Sequence, residues 1–287
     1  MTQPVIVGID DAPGIAATVD WAADEARLRG VRLHLVHAWL PQPYDTPDGQ
    51  WNRQARADAE QLLGELSVRV AARQPDLPLS SGIVQTAAIE ALTALSETAE
   101  LLVLGSRGSG GFPGLLAGST SLRLAATAAC PVVVVPASWE DQHGGGVAVG
   151  VRGKDTGEAL LSFAFEAAQR RKLPLRVVHG WRYPLLRLRG HVSPPVYEEG
   201  QIAAEQDRLV AEVLDGRRDA YPDVDVELDT VRSGAAKRLV ELSATERLLV
   251  VGRHGTPDGP VGRLGSVSQA VVHHSRCPVA VVPPTNR

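Results

Sequence analysis

The chain repeats itself, and this repeat constrains the fold more than any other feature of the sequence. The segment Pro4-Val-Ile-Val-Gly-Ile-Asp10 returns as Gly146-Val-Ala-Val-Gly-Val-Arg152, and Ala129-Cys-Pro-Val-Val-Val-Val-Pro136 returns as Arg276-Cys-Pro-Val-Ala-Val-Val-Pro283. Matching segments keep their order, and their offset changes only from 142 to 147 residues. We therefore predict two copies of one domain, at residues 1–138 and 147–287, joined by a polar, glycine-rich linker at 139–146.

Within each copy, short β-branched runs alternate with helical patterns. The first copy has predicted strands at 4–9, 31–38, 79–85, 101–105 and 131–135, and predicted helices at 14–29, 51–73, 88–99 and 119–128. This alternation is typical of an α/β fold with a parallel, doubly wound sheet. The second copy follows the same plan, with extra length at 182–224, and each copy is long enough to bury its own core.

A glycine-rich template also occurs once per copy, directly after an apolar run. It reads Gly105-Ser-Arg-Gly108, nine residues, then Gly118-Ser119, and again Gly252-Arg-His-Gly255, nine residues, then Gly265-Ser266. Glycines permit positive φ and a close approach of the backbone to a ligand, and exposed N–H groups in such turns bind anions. Ser or Thr can cap the helix that follows, and the helix N-terminus favours negative charge. The template predicts a phosphate site in each copy.

Other nucleotide folds and several partner classes fit the sequence poorly. A P-loop is absent, and the glycines follow the fourth strand, whereas a dinucleotide-binding fingerprint follows the first. The formal net charge is −4, which disfavours nucleic acid as a partner. The longest apolar runs fall short of the ~20 residues that span a bilayer, so we expect no membrane insertion and a cytoplasmic location.

Together these segments resemble the universal stress protein family in its tandem two-domain form. The resemblance rests on Val5-Ile-Val-Gly-Ile-Asp10, on Leu35-Val-His-Ala-Trp39, on both glycine templates and on the Cys-Pro-Val endings, and it covers essentially the whole chain. It implies two Rossmann-like domains of the adenine nucleotide alpha hydrolase type, each a five-stranded parallel sheet of order 3-2-1-4-5 flanked by helices. It also implies ATP binding, dimerisation through the last strand and a regulatory role in stress adaptation, with a regulatory protein partner that stays unknown.

The resemblance assigns nucleotide contacts to matching positions in both copies. Gly8, Asp10 and Ala38 are expected beside the adenosine, at the switch point where ligands bind open α/β sheets. The triphosphate is expected at Gly105, Arg107, Gly108, Ser109, Gly110, Gly111, Gly118, Ser119, Thr120 and Ser121. The second copy offers Gly150, Gly252, Arg253, Gly255, Gly265, Ser266 and Ser268.

The second copy departs from this pattern. Arg152 stands where the first copy has Asp10, and the second loop adds Asp258 where anions would lie. We therefore expect the first copy to be the principal ATP site, with the second binding weakly or binding another ligand.

Catalysis is not indicated. The sequence offers no nucleophile–base–acid set and no residues at metal-ligand spacing, so we assign neither catalytic residues nor a metal site, although Mg²⁺ would arrive with ATP. Three classes stay open: an ATP-dependent regulator, a slow ATPase or autokinase, and a nucleotide-independent dimerisation scaffold. Cys130 and Cys277 are expected as small core residues rather than as a disulfide or metal pair, and His37 and His179 as structural residues. The last strands are apolar and are expected to pair, between the two copies first and between chains in a homodimer next.

Overall fold

The structure is a computed structural model that describes residues 2–42, 49–106, 118–140, 144–181, 187–188, 191–192, 199–232, 234–253 and 264–284. The elements of the first copy are β1 (Val5–Ile9), α1 (Ile15–Arg29), β2 (Leu33–Ala38), α2 (Gln50–Arg73), β3 (Leu79–Val84), α3 (Ala88–Ser96), β4 (Leu101–Gly105), α4 (Ser119–Thr127) and β5 (Val132–Val135). Every strand and helix predicted for this copy is present.

The second copy follows the same order, with additional elements before its third sheet strand. Its elements are β6 (Val147–Val151), a 3-10 turn (Gly153–Asp155), α5 (Glu158–Arg171), β7 (Leu175–Gly180), β8 (Arg187–Leu188), β9 (His191–Val192), α6 (Glu199–Leu214), α7 (Arg217–Ala220), β10 (Val226–Val231), α8 (Ala235–Leu242), β11 (Leu248–Gly252), α9 (Ser266–His274) and β12 (Val279–Val282). Strands β8 and β9 pair only with each other, as a small antiparallel ribbon.

The ten remaining strands form one sheet, in the order β3-β2-β1-β4-β5-β12-β11-β6-β7-β10. Each copy therefore contributes five parallel strands in the order 3-2-1-4-5, which confirms the predicted topology. The two sets meet at β5 and β12, which pair antiparallel with Val133 opposite Ala280 and Val134 opposite Val279.

The last strands are thus interior strands of the ten-stranded sheet. The edges are β3 and β10 instead. A tandem chain satisfies the exposed hydrogen-bonding groups of both last strands within itself, because each copy supplies the partner of the other. This pairing leaves neither last strand open to a second chain.

The hydrophobic core is divided by sheet face and not by copy. One buried cluster includes Val5 and Val147, which start equivalent strands, together with residues of α1 and α5. The other includes their neighbours Ile6 and Ala148, together with residues of α4 and α9. The β5–β12 pairing makes both faces of the sheet continuous across the chain, so each buried cluster draws on both copies.

A buried ionic cluster also joins the copies, on the face where α1 contacts α5. Glu25 is 1% exposed and accepts hydrogen bonds from Arg29, at 2.5 Å, and from Arg171 of the second copy. Arg29 also donates to Glu100 at 2.9 Å and lies 5.1 Å from the ring centroid of Phe163. Burial opposes ionisation of Glu25, but Arg171 and Arg29 hold its pKa below the ordinary value.

Both cysteines are buried and free, as expected of core residues. Burial raises the pKa of Cys130 to about 11 and that of Cys277 to about 12, so both stay thiols near neutral pH. None of the helices in the described part of the chain combines the length and the hydropathy that crossing a membrane requires.

Candidate functional site

A cavity of about 400 Å³ opens at the carboxyl ends of β1 and β4, and we call it the β1–β4 cavity. The chain runs outward to β2 on one side of β1 and to β4 on the other, so this is the switch point of the sheet. The cavity gathers predicted residues from three distant segments of the chain. These are Gly8, Asp10, Ala38, Gly105, Gly118, Ser119, Thr120 and Ser121.

A carboxylate forms one wall of the β1–β4 cavity. Asp10 follows β1 directly, and its Oδ1 accepts a hydrogen bond from the backbone N–H of Ala12 at 3.2 Å. Burial raises the pKa of Asp10 and the neighbouring Asp11 adds to this, while the Ala12 hydrogen bond and His37 act in the opposite direction. A partly desolvated carboxylate is a strong acceptor for hydroxyl groups of a ligand.

The start of α4 forms the opposite wall. The N–H of Gly118 donates to the carbonyl of Ser106 at 2.6 Å, and the hydroxyl of Ser121 donates to the carbonyl of Gly105 at 2.7 Å. These two bonds fix the first turn of α4 against the end of β4. Backbone N–H groups in a first turn have no partner inside their helix, so those of Ser119 and Thr120 can bind an anion at the positive end of the helix dipole.

Two predicted local roles are corrected by this geometry. The cap of α4 is Gly118, without a side-chain hydrogen bond from the described residues, so Ser119 is the first helical residue and not the cap. Gly118 has an extended backbone with φ −71°, and the matching Gly265 has φ −61°, so neither uses the positive φ expected of it.

Gly8 and Ser121 serve the packing of the cavity walls. A β-carbon on Gly8 would lie 2.8 Å from Leu104 Cδ2 and 3.0 Å from Leu92 Cδ1, and both leucines line the cavity. Ser121 is 6% exposed, and its hydroxyl donates to the carbonyl of Gly105 as described above. Both residues therefore stabilise the walls of the β1–β4 cavity.

His37 is a cavity residue that our interpretation of the sequence missed. It lines the β1–β4 cavity, and its Nδ1 is buried with no hydrogen-bond partner among the described residues. The matching His179 is satisfied, since Nδ1 lies 3.3 Å from the carbonyl of Val151 and Nε2 lies 3.0 Å from Gln206 Oε1. The expectation of a structural histidine is confirmed for His179, whereas His37 keeps a polar atom unused beside the cavity.

The second copy preserves the scaffold of the site. The hydroxyl of Ser268 donates to the carbonyl of Gly252 at 2.7 Å, which repeats the contact of Ser121. A β-carbon on Gly150 would lie 2.9 Å from Leu239 Cδ1, which repeats the packing of Gly8. Gly265 caps α9, and Ser266 begins it.

The functional groups around this scaffold differ. The position of Asp10 is occupied by Arg152, which is exposed and whose backbone N–H donates to Thr156 Oγ1 at 3.0 Å. Gln206, from α6, contacts His179, which is only 8% exposed. Helix α6 thus supplies a partner for His179, whereas His37 Nδ1 has none among the described residues of the first copy.

Arg253, which follows Gly252 of the second glycine template, forms a hydrogen bond with the first copy. Its Nη1 donates to the carbonyl of Ala128 in the first copy at 2.5 Å, and burial lowers the pKa of its guanidinium. It connects the two copies near the β5–β12 junction. Other predicted contacts lie outside the described residues, namely Arg107, Gly108, Ser109, Gly110, Gly111 and Gly255.

Comparison with known proteins gives one consistent result. The model of the Universal stress protein family matches residues 1–136 and again 146–283. Universal stress protein Rv2623 of Mycobacterium tuberculosis is 36% identical over 292 residues, which cover 96% of this chain and 95% of that protein. Universal stress protein Rv2005c of the same organism is 34% identical, with 96% of each chain covered.

A solved structure agrees at the level of the fold. A universal stress protein from Archaeoglobus fulgidus superposes with a TM-score of 0.68 at 16% identity and covers 98% of each chain.

Proposed function

Because this chain belongs to the universal stress protein family, we propose that it binds ATP in its first copy and acts as a nucleotide-dependent regulator of stress adaptation. The observation that carries the proposal is the β1–β4 cavity, where an acceptor carboxylate and the start of a helix face one space of about 400 Å³. That volume lies within the usual range for small-molecule sites.

The two walls suit the two ends of a nucleotide. We propose that Asp10 accepts hydrogen bonds from the ribose hydroxyls and that the backbone near Ala38 contacts the base. The first-turn N–H groups of Ser119 and Thr120 would receive phosphate oxygens, with Mg²⁺ entering as a partner of those phosphates. Arg107 and the neighbouring glycines are proposed to complete the phosphate contacts.

We also propose that the second copy binds ATP weakly. Arg152 replaces the acceptor acid, Gln206 of α6 contacts His179, and Arg253 donates to the carbonyl of Ala128 in the first copy. A cytoplasmic location and a homodimer remain predictions. Since β5 and β12 pair within the chain, a second chain would have to use another surface.

A matched pair of substitutions tests the site. In both Ser119→Asp and Ser266→Asp, a carboxylate at the first helical residue suits the helix dipole, so both variants should fold. Repulsion between that carboxylate and a triphosphate should lower ATP affinity at least about tenfold in Ser119→Asp. Calorimetric titration of nucleotide-stripped protein with ATP and Mg²⁺ should show wild-type affinity for Ser266→Asp.

Two outcomes would contradict the proposal. Equal affinities for all three proteins would place ATP outside the β1–β4 cavity, and a loss only in Ser266→Asp would make the second copy the principal site. If the wild type binds no ATP, the scaffold function becomes the better account.

A further inference from the structure

A second cavity lies between the two copies, and we call it the interdomain cleft. Its volume is about 820 Å³, and its walls come from α1, from the end of α2, from residues 139–140, from the end of α5 and from Arg247. It shares no lining residue with the β1–β4 cavity. The cleft is therefore a separate space to which both copies contribute.

The charges that line the interdomain cleft are mostly positive, although the chain as a whole carries a net charge of −4. Four acidic side chains face seven cationic ones, which leaves an excess of three positive charges. The acids are Asp20, Asp24, Glu25 and Glu140, and the cations are Arg27, Arg69, Arg73, Arg170, Arg171, Lys172 and Arg247.

Ion pairs already neutralise part of this set. Asp20 binds Arg69 through both carboxylate oxygens, at 2.8 and 2.6 Å. Asp24 accepts from Arg73 at 2.7 Å, and Glu25 accepts from Arg171. These contacts hold the walls in place, so the cleft is built before any ligand arrives.

Three of the remaining cations retain unused charge or donors. Neither Arg27 nor Lys172 has an ion-pair partner within the part of the chain that the structure describes. Arg170 lies 3.2 Å from Glu166 through Nη2, but its Nη1 is buried without a hydrogen-bond partner. A guanidinium with an unused donor is better satisfied when a small rotation lets it bind an oxyanion.

The backbone at Lys172 gives an independent indication. Lys172 ends α5 in the left-handed region, with φ 54° and ψ 45°, and is the sole non-glycine residue at positive φ in the described part of the chain. At the same place after α1, the first copy has Gly30 with φ 66° and ψ 32°. A lysine at a position that suits glycine is strained, and retained strain of this kind indicates a function for the side chain.

We infer that the interdomain cleft binds a small multivalent oxyanion, of phosphate or carboxylate type, through Arg170, Lys172 and Arg27. Guanidinium groups match both kinds of anion by paired hydrogen bonds, and the lysine adds a mobile point charge. Because Arg27 belongs to the first copy and the other two belong to the second, the bound anion would also strengthen the contact between the copies.

The two natural probes are inorganic tripolyphosphate and citrate, titrated by calorimetry into nucleotide-stripped protein without Mg²⁺. Lys172→Gly restores the residue that the first copy uses and relieves the strain at this position, so this variant should fold with a thermal midpoint at least as high as that of the wild type. It should bind the preferred probe about fivefold more weakly. Arg170→Gln should weaken binding by about tenfold or more, since a charged donor is lost.

Lys237→Gln is the matched control, because Lys237 is exposed on α8 outside the cleft and carries the same charge. It should leave the affinity for both probes within about twofold of wild type. The preferred probe shows whether the site selects phosphate or carboxylate.

Absence of binding for both probes would overturn the inference. So would equal affinity in wild type, Lys172→Gly and Arg170→Gln. Tripolyphosphate binding that disappears in Ser119→Asp but persists in Lys172→Gly would place the anion in the β1–β4 cavity instead.

Discussion

The buried cluster around Glu25 makes a quantitative prediction about what joins the two copies. Substituting Glu25→Gln removes the acceptor charge shared by Arg29 and Arg171, whose side chains are 4% and 11% exposed. Removing one partner of a buried ion pair usually costs about 3–5 kcal/mol, because the other charge is left uncompensated. Arg29 keeps Glu100 as a partner, so we expect the lower end, about 3 kcal/mol.

Urea unfolding followed by circular dichroism measures this loss. At about 2 °C per kcal/mol for a chain of this size, the thermal midpoint should fall by about 6 °C. The control is Asp20→Asn, which breaks the pair with Arg69, whose side chain is 50% exposed. Pairs of that exposure contribute about 1 kcal/mol or less, so the control should stay close to wild type.

The effect should also depend on pH with a definite sign. The pKa of Glu25 is lowered in the folded protein, so its ionised form contributes stability above the unfolded pKa, near the ordinary value of 4.5. That contribution is lost as pH falls through the folded pKa. The difference between wild type and Glu25→Gln should therefore be full at pH 7 and should disappear in acid.

A loss of stability below about 1 kcal/mol at pH 7 would refute this reasoning, as would a loss equal to that of Asp20→Asn. A double substitution, Glu25→Leu with Arg171→Met, provides the complementary test. Replacing both charges by apolar groups should recover much of the lost stability, because no uncompensated charge remains on Arg171.

Three further predictions concern the junction and the β1–β4 cavity. Val134→Lys places a charge opposite Val279 in the middle of the sheet and should cost about 3 kcal/mol or more in urea unfolding; an unchanged midpoint would count against the junction. Gly8→Ala should lower the free energy of unfolding by about 1–3 kcal/mol, because the new β-carbon would lie 2.8 Å from Leu104 Cδ2. An unchanged midpoint in thermal denaturation would contradict this. Asp10→Asn should raise the thermal midpoint at pH 7 but not at pH 3, because burial raises the pKa of Asp10 and its ionisation therefore opposes folding. The same variant should bind ATP more weakly in calorimetry. A lower thermal midpoint at pH 7 would contradict this prediction.

The strands of the sheet were predictable from the sequence because the pattern of each strand occurs twice, once in each copy. The error at α3 shows the limit of this approach. The helix was predicted to reach residue 99, but it ends at Ser96. The hydroxyl of Ser96 donates to the carbonyl of Thr93 at 2.6 Å and accepts from the N–H of Ala129 at 2.9 Å. That contact joins residues 33 positions apart, beyond the reach of a local helical pattern.

The candidate site was predictable where its residues follow strands, because the carboxyl ends of parallel strands meet at one edge of a sheet. It was not predictable where a tertiary neighbour decides the role of a side chain. His37 and His179 stand in the same motif, yet only His179 meets Gln206. Arg253 follows a glycine of the template, yet its partner is the carbonyl of Ala128, 125 residues earlier in the chain.

The number of ATP molecules bound per chain tests the central claim most directly. Calorimetric titration of nucleotide-stripped wild-type protein with ATP and Mg²⁺ should give one tight site per chain, held by the β1–β4 cavity and lost in Ser119→Asp. Two sites of equal affinity would contradict the account, because Arg152 in place of Asp10 would then not weaken binding in the second copy. No bound ATP would remove the proposed function altogether.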